Sequence, residues 1–139
     1  MPKHYSRNNL PFSGEMKSFW NDNGFIIIDN FFSNDECNKL RLRTKKLVKD
    51  FDYTNHKTII SSKEKQHAID SYFLESGDKI RFFFEAGAFD EDGNMKDSIE
   101  LLINKIGHAM HDLDPVYSAF VHRKDLDDIA RAIDIKSPK

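Results

Sequence analysis

Residues 98–120 read SIELLINKIGHAMHDLDPVYSAF, and the period of their apolar residues decides how this chain is expected to fold. Ile99, Leu102, Ile103, Ile106, Met110 and Leu113 recur at helical spacing and make one stripe. Ser98 stands where an N-cap hydroxyl would accept a hydrogen bond from a first-turn backbone N–H. Pro115 cannot continue the ladder, and it turns Asp114 out of helical geometry. The stretch therefore predicts one long helix over 98–114, with Asn104, His108 and His111 on its polar face. Lys105 falls on the border of the two faces, where a long cation can lie over apolar surface and put its charge into a cleft.

Downstream, Val116 to Phe120 predicts a further helical turn, and Leu126, Ile129, Ala130 and Ile133 predict a last helix. Upstream, Asp90-Glu91-Asp92-Gly93-Asn94 is a turn. In Lys79–Glu85 the alternation of Ile80, Phe82 and Phe84 with Arg81, Phe83 and Glu85 predicts a strand with one well-buried face. Asp78 with Arg81, and Glu85 with Lys79, are the surface ion pairs the spacing suggests. Residues 52–70 are polar and predict a mobile loop. Ser33-Asn34-Asp35-Glu36 is a capping box, and it opens a helix that buries Cys37, Leu40, Thr44, Leu47, Val48 and Phe51. Phe25-Ile26-Ile27-Ile28 predicts a short strand buried on both faces, and a first helix over 14–23 ends at Gly24. Residues 1–13 read as a disordered tail ahead of one domain over 14–139.

This is an α+β chain with two or three strands. Backbone groups on buried strands need partners. So few strands can neither close a barrel nor build a sandwich, and the sheet lacks members.

Among 139 residues, 39% are hydrophobic and 32% charged, and the net charge of −2 supplies no positive field to recruit nucleic acid. The basic cluster Arg41, Arg43, Lys45, Lys46 and Lys49 reads as the solvated face of a helix. The single cysteine, Cys37, excludes a disulfide within the chain and any CxxC metal motif, and it is expected in the core. No apolar run approaches the ~20 residues that span a bilayer. The N-terminus lacks the apolar core of a secretory signal, and the cytoplasm is the expected compartment.

Two histidines three residues apart, His108 and His111, would share a helical face and offer the start of a metal site, with no third ligand fixed by spacing. No phosphate-binding Gly-rich loop and no Gly-x-Ser-x-Gly elbow is present.

Three strings say more than composition does. They are FWNDNGFIIIDNFFSNDECNKLR (19–41), DSYFLESGDKIRFFFEAGAFDEDGN (70–94) and INKIGHAMHDLDPVYSAF (103–120). In that order and spacing they resemble the phytanoyl-CoA dioxygenase family, over about residues 15–135. The resemblance implies an oxidoreductase built on a double-stranded β-helix, or jelly roll, that uses Fe(II) and 2-oxoglutarate. It implies a reaction that couples decarboxylation of 2-oxoglutarate, giving succinate and carbon dioxide, to hydroxylation of a C–H bond of a small molecule. It also implies that the lysine of the Ile-Asn-Lys-Ile-Gly-His string, Lys105, contacts 2-oxoglutarate.

The family's iron is held by His-x-Asp and a distant histidine, a facial triad with open positions. None of the six histidines here is followed two residues on by aspartate; His67 and His122 have Asp70 and Asp125 one position too late. The expectation is therefore the helix-rich N-terminal part of such a dioxygenase, with the barrel core missing and no turnover by itself. Two rival expectations stand beside it: a catalytically dead partner-binding module that self-associates through exposed apolar surface, and a metal-binding helical protein using His108 and His111.

Overall fold

A computed structural model of the chain describes residues 3–60 and 71–137. The chain divides into two units, one of Met1–Asn38 with Ala119–Lys139 and one of Lys39–Ser118. In the first, β1 (His4–Ser6) pairs in parallel with β2 (Ile27–Asp29), His4 opposite Ile27 and Ser6 opposite Asp29. Between them lie a 3-10 turn (Arg7–Asn9) and α1 (Gly14–Asn23). Residues 4–9 thus take the form of a strand and a 3-10 turn, where the sequence predicts a loose tail. The reason lies in β2, whose backbone groups need a partner strand, and in Tyr5, which is buried edge-on against Phe19 at 5.9 Å. Helix α1 begins at Ser13, whose hydroxyl accepts from the Met16 N–H, and ends at Gly24 with φ +74°, the left-handed cap the sequence predicts. Strand β2 starts two residues later than expected, and Ile27 and Ile28 are only half-buried.

The predicted capping box opens α2 (Asn34–Asp50). The Glu36 N–H donates to Ser33 Oγ at 3.2 Å, and the Ser33 N–H donates to Glu36 Oε2 at 2.7 Å. These Ser33 bonds, with Arg123 adding its charge, hold the Glu36 carboxyl down to about 2. Cys37, expected in the core, is half-buried.

The second unit contains α3 (Ser71–Leu74), β3 (Ile80–Phe84), α4 (Ile99–Leu102), β4 (Ile103–His108) and α5 (Met110–Leu113). The helix predicted over 98–114 is therefore not one element. Its middle is a strand, antiparallel to β3, with Phe82 opposite Ile106 and Phe83 opposite Lys105. Two effects outweigh the helical period. Gly107 inside a helix costs roughly 1 kcal/mol relative to alanine, and the backbone of β3 needs partners that β4 supplies. Ser98 takes the N-cap position of α4, but its hydroxyl makes no cap bond. The peptide bond between Gly107 and His108 is cis.

Both faces of β3 are buried at Phe82, Phe83 and Phe84, where the alternation predicts one. On one face Phe82 stacks on Phe51 at 4.3 Å, and Phe84 joins Ala88 and Leu102 in a core cluster with Phe89 at 4.8 Å. On the other, Phe83 meets Tyr72 and Phe73 edge-on at 5.5 and 5.8 Å. Within the loop predicted over 52–70, residues 61–70 lie outside the described residues. Before them, the Phe84 N–H donates to the Thr58 carbonyl at 2.9 Å and the Ile60 N–H to the Phe84 carbonyl at 3.0 Å, which ties this end to β3. The turn at 90–94 forms as expected: the Asn94 N–H donates to Asp90 Oδ1 at 2.7 Å, and Gly93 takes φ +80°.

Pro115 stops α5 and is also the first residue of α6 (Pro115–Val121), a position where its fixed φ is favourable. Asp114 caps this helix, accepting at Oδ1 from the Val116 and Tyr117 N–H groups at 3.0 and 3.2 Å. The last helix, α7 (Lys124–Ala132), lies close to its predicted place, and Arg123 before it bonds both Asp125 and Glu36. Among the described residues no helix is long and apolar enough to cross a membrane.

Candidate functional site: a lysine on β4

Lys105 lies in the middle of β4, on the face it shares with Phe83 across the ladder. It is half-buried. Its Nζ stands 5.8 Å from the centre of the Phe73 ring, within reach of a cation–π contact. It also lies 2.7 Å from His108 Nε2. Two residues along the strand, Gly107 leaves room for the lysine stem, because a Cβ there would stand 3.0 Å from Lys105 Cε. Among the described residues no carboxylate forms an ion pair with Lys105. A half-buried ammonium held between an imidazole and an aromatic face, with no such anion beside it, suits an anionic ligand.

The histidines are not arranged as the sequence suggests. His108 ends β4 and His111 lies in α5, so the shared helical face on which a metal reading rested does not exist. Both ring nitrogens of His108 are engaged, Nε2 with Lys105 and Nδ1 with Ser76 Oγ at 2.8 Å. His111 is half-buried and pairs with Asp112 at 3.4 Å. Among the described residues no group of three His, Cys, Asp or Glu could hold a metal ion. The described residues therefore do not fit the iron that the resemblance implies.

Arg81 stacks over Tyr72 at 4.5 Å, donates to the Tyr72 carbonyl and approaches Glu75 at 3.7 Å. The pairing expected with Asp78 goes instead to Lys79, at 2.9 Å. Sequence reasoning missed Ser76, which is buried in the turn before β3 and lends its hydroxyl to His108. No local signal marks it, since its partner is 32 residues away.

Residues 20–136 match the family model for phytanoyl-CoA dioxygenase. The chain belongs to the phytanoyl-CoA dioxygenase family. Over 120 residues it is 40% identical to a phytanoyl-CoA dioxygenase of Arabidopsis thaliana, covering 86% of this chain and 42% of that protein. Over 129 residues it is 40% identical to phytanoyl-CoA dioxygenase domain-containing protein 1 of Mus musculus, covering 89% and 44%. The Caenorhabditis elegans homolog of the latter is 36% identical over 126 residues, covering 89% and 44%. This family member thus spans less than half the length of these relatives, and the match takes in β2, the β3–β4 ladder and Lys105.

Proposed function

We propose that this chain forms the N-terminal region of an Fe(II)- and 2-oxoglutarate-dependent hydroxylase, and that Lys105 binds a carboxylate of 2-oxoglutarate. The observation that carries the reading is the Lys105 ammonium, half-buried on β4 with Phe73 and His108 beside it. An ammonium meets a carboxylate as a point charge and requires no fixed fork geometry. The aromatic wall of Phe73 and Phe83 lowers the local dielectric and strengthens that attraction. In a double-stranded β-helix the β3–β4 ladder would extend one sheet. When bound, iron would supply the oxidising chemistry; the described residues of this chain hold no site for it.

Replacing Lys105 removes one charge-assisted hydrogen bond, an interaction worth about 1.5–3 kcal/mol. Lys105→Ala is therefore expected to weaken 2-oxoglutarate binding by the natural protein roughly 10- to 100-fold. Titration calorimetry measures this, and an unchanged dissociation constant would sink the assignment. The 139-residue chain, incubated with Fe(II) and 2-oxoglutarate, is expected to form no succinate, because its sequence has no His-x-Asp. Succinate above a metal-free control would overturn that. A partner-binding reading draws support from Leu42, Leu74, Leu101 and Leu113, each more than half exposed. A module of that kind would not bind 2-oxoglutarate, so the same titration separates the two.

A further inference from the structure

Lys105 can only donate hydrogen bonds, so His108 Nε2, 2.7 Å away, accepts. That leaves the ring proton on Nδ1, which faces Ser76 Oγ at 2.8 Å. The serine hydroxyl then gives its own proton to the Phe73 carbonyl at 2.5 Å. Ser76 is 1% exposed, so its hydroxyl is shielded from competing water. The imidazole is further fixed edge-on to Phe73 at 5.8 Å and tilted against Phe83 at 6.1 Å. A directional chain thus runs from Lys105 through His108 and Ser76 to the backbone of α3, with one polarity throughout.

We propose that His108 is the positioning residue for Lys105. It fixes the ammonium with one of its three N–H donors and leaves the others free for a ligand carboxylate, while Ser76 fixes the His108 tautomer. This rests on the reading of Lys105 as the carboxylate contact. Holding a flexible four-carbon side chain in place before the ligand arrives removes part of the ordering cost of binding. The requirement is chemical as well as steric: the group at 108 must accept at the Nε2 position. Glutamine carries its Oε1 the same number of bonds from Cα as His108 Nε2, whereas phenylalanine keeps the ring and loses the acceptor.

The test has two parts. In the ligand-free natural protein, ¹⁵N NMR of labelled imidazoles should show His108 protonated at Nδ1. In calorimetric titrations with 2-oxoglutarate, His108→Phe should weaken binding about 5- to 10-fold, and His108→Gln should recover to within about 3-fold of the unmodified protein. In a Lys105→Ala background His108→Phe should change nothing further. An Nε2-protonated His108, or a His108→Phe effect of equal size in the Lys105→Ala background, overturns the positioning role. Loss of binding in Lys105→Ala with no loss in a folded His108→Phe overturns it as well, while leaving the cosubstrate reading intact. Unchanged binding in Lys105→Ala removes the reading beneath it. Should His108→Phe fail to fold, the tautomer measurement on the unmodified protein still decides.

Discussion

Phe83→Ala is expected to destabilise the protein by about 3–5 kcal/mol, the range for truncating a fully buried phenylalanine. Phe83 is 0% exposed in the middle of β3, with Tyr72, Phe73 and His108 around its ring. Those neighbours are held by their own bonds: Tyr72 by Arg81 stacked on it, His108 by Ser76 and Lys105. They cannot collapse freely into the space left by the ring, and an unrelaxed cavity puts the cost toward the upper end of the range. Phe83→Leu, which fills most of that space, should lose much less. The two variants also differ from a change on the other face. Phe84→Ala empties a site lined by Phe51, Phe89 and Leu102 and should leave the His108 tautomer unaltered, whereas Phe83→Ala should disturb it. Denaturant unfolding of the three variants measures the energies. A loss below about 1 kcal/mol for Phe83→Ala would mean that this face of the sheet is not the packed surface described.

What could be read from the sequence was local. Gly24 after α1, the Ser33–Glu36 box and the Asp90–Asn94 turn each depend on groups within four residues, and each forms as read. Strand β4 was hidden because its cause is distant. Ile99, Leu102, Ile103 and Ile106 satisfy a helical period, and they satisfy equally a short helix followed by a strand whose partner begins at Ile80. Gly107 was the local clue against the helix, and the shortage of strands was the global one. Part of the missing sheet lay inside the segment read as helix. The tail over 1–13 repeats the lesson, since β1 supplies the partner that β2 required.

The site was less legible than the fold. Lys105 stood out by its place on a helical border that does not exist, and by the resemblance of the string around it. Its half-buried setting comes from the ladder with β3, which sets it opposite Phe83, and from the room at Gly107. Ser76 and His108 could not be joined by spacing, because the register of β4 against β3 brings them together.

Arg43 and Asp114 carry the other large effect. Arg43 Nε donates to Asp114 Oδ2 at 2.5 Å, and the Asp114 side chain is wholly buried. Burial pushes the Asp114 carboxyl up, but the Arg43 bond and the two backbone donors of α6 outweigh it and hold the group below its usual range. Arg43→Met is expected to cost roughly 3 kcal/mol near neutral pH, because it strands a buried carboxylate; the guanidinium is about a quarter exposed, which puts the figure at the low end for such pairs. Asp114→Asn keeps an oxygen for the Val116 and Tyr117 N–H groups and should cost less than Asp114→Ala, which also removes the cap, worth about 1 kcal/mol. The pH dependence follows from the sign of the shift. A carboxyl with a depressed folded-state pKa stabilises the fold fully above its unfolded value, near 3.9, and that contribution is lost as pH falls through the folded value. In Arg43→Met the depressing partner is gone, and protonation relieves the buried charge. The gap in stability between Arg43→Met and the unmodified protein should therefore narrow between pH 7 and pH 4. A gap that stays constant over that window would show that Arg43 acts through packing of its stem, not through its charge.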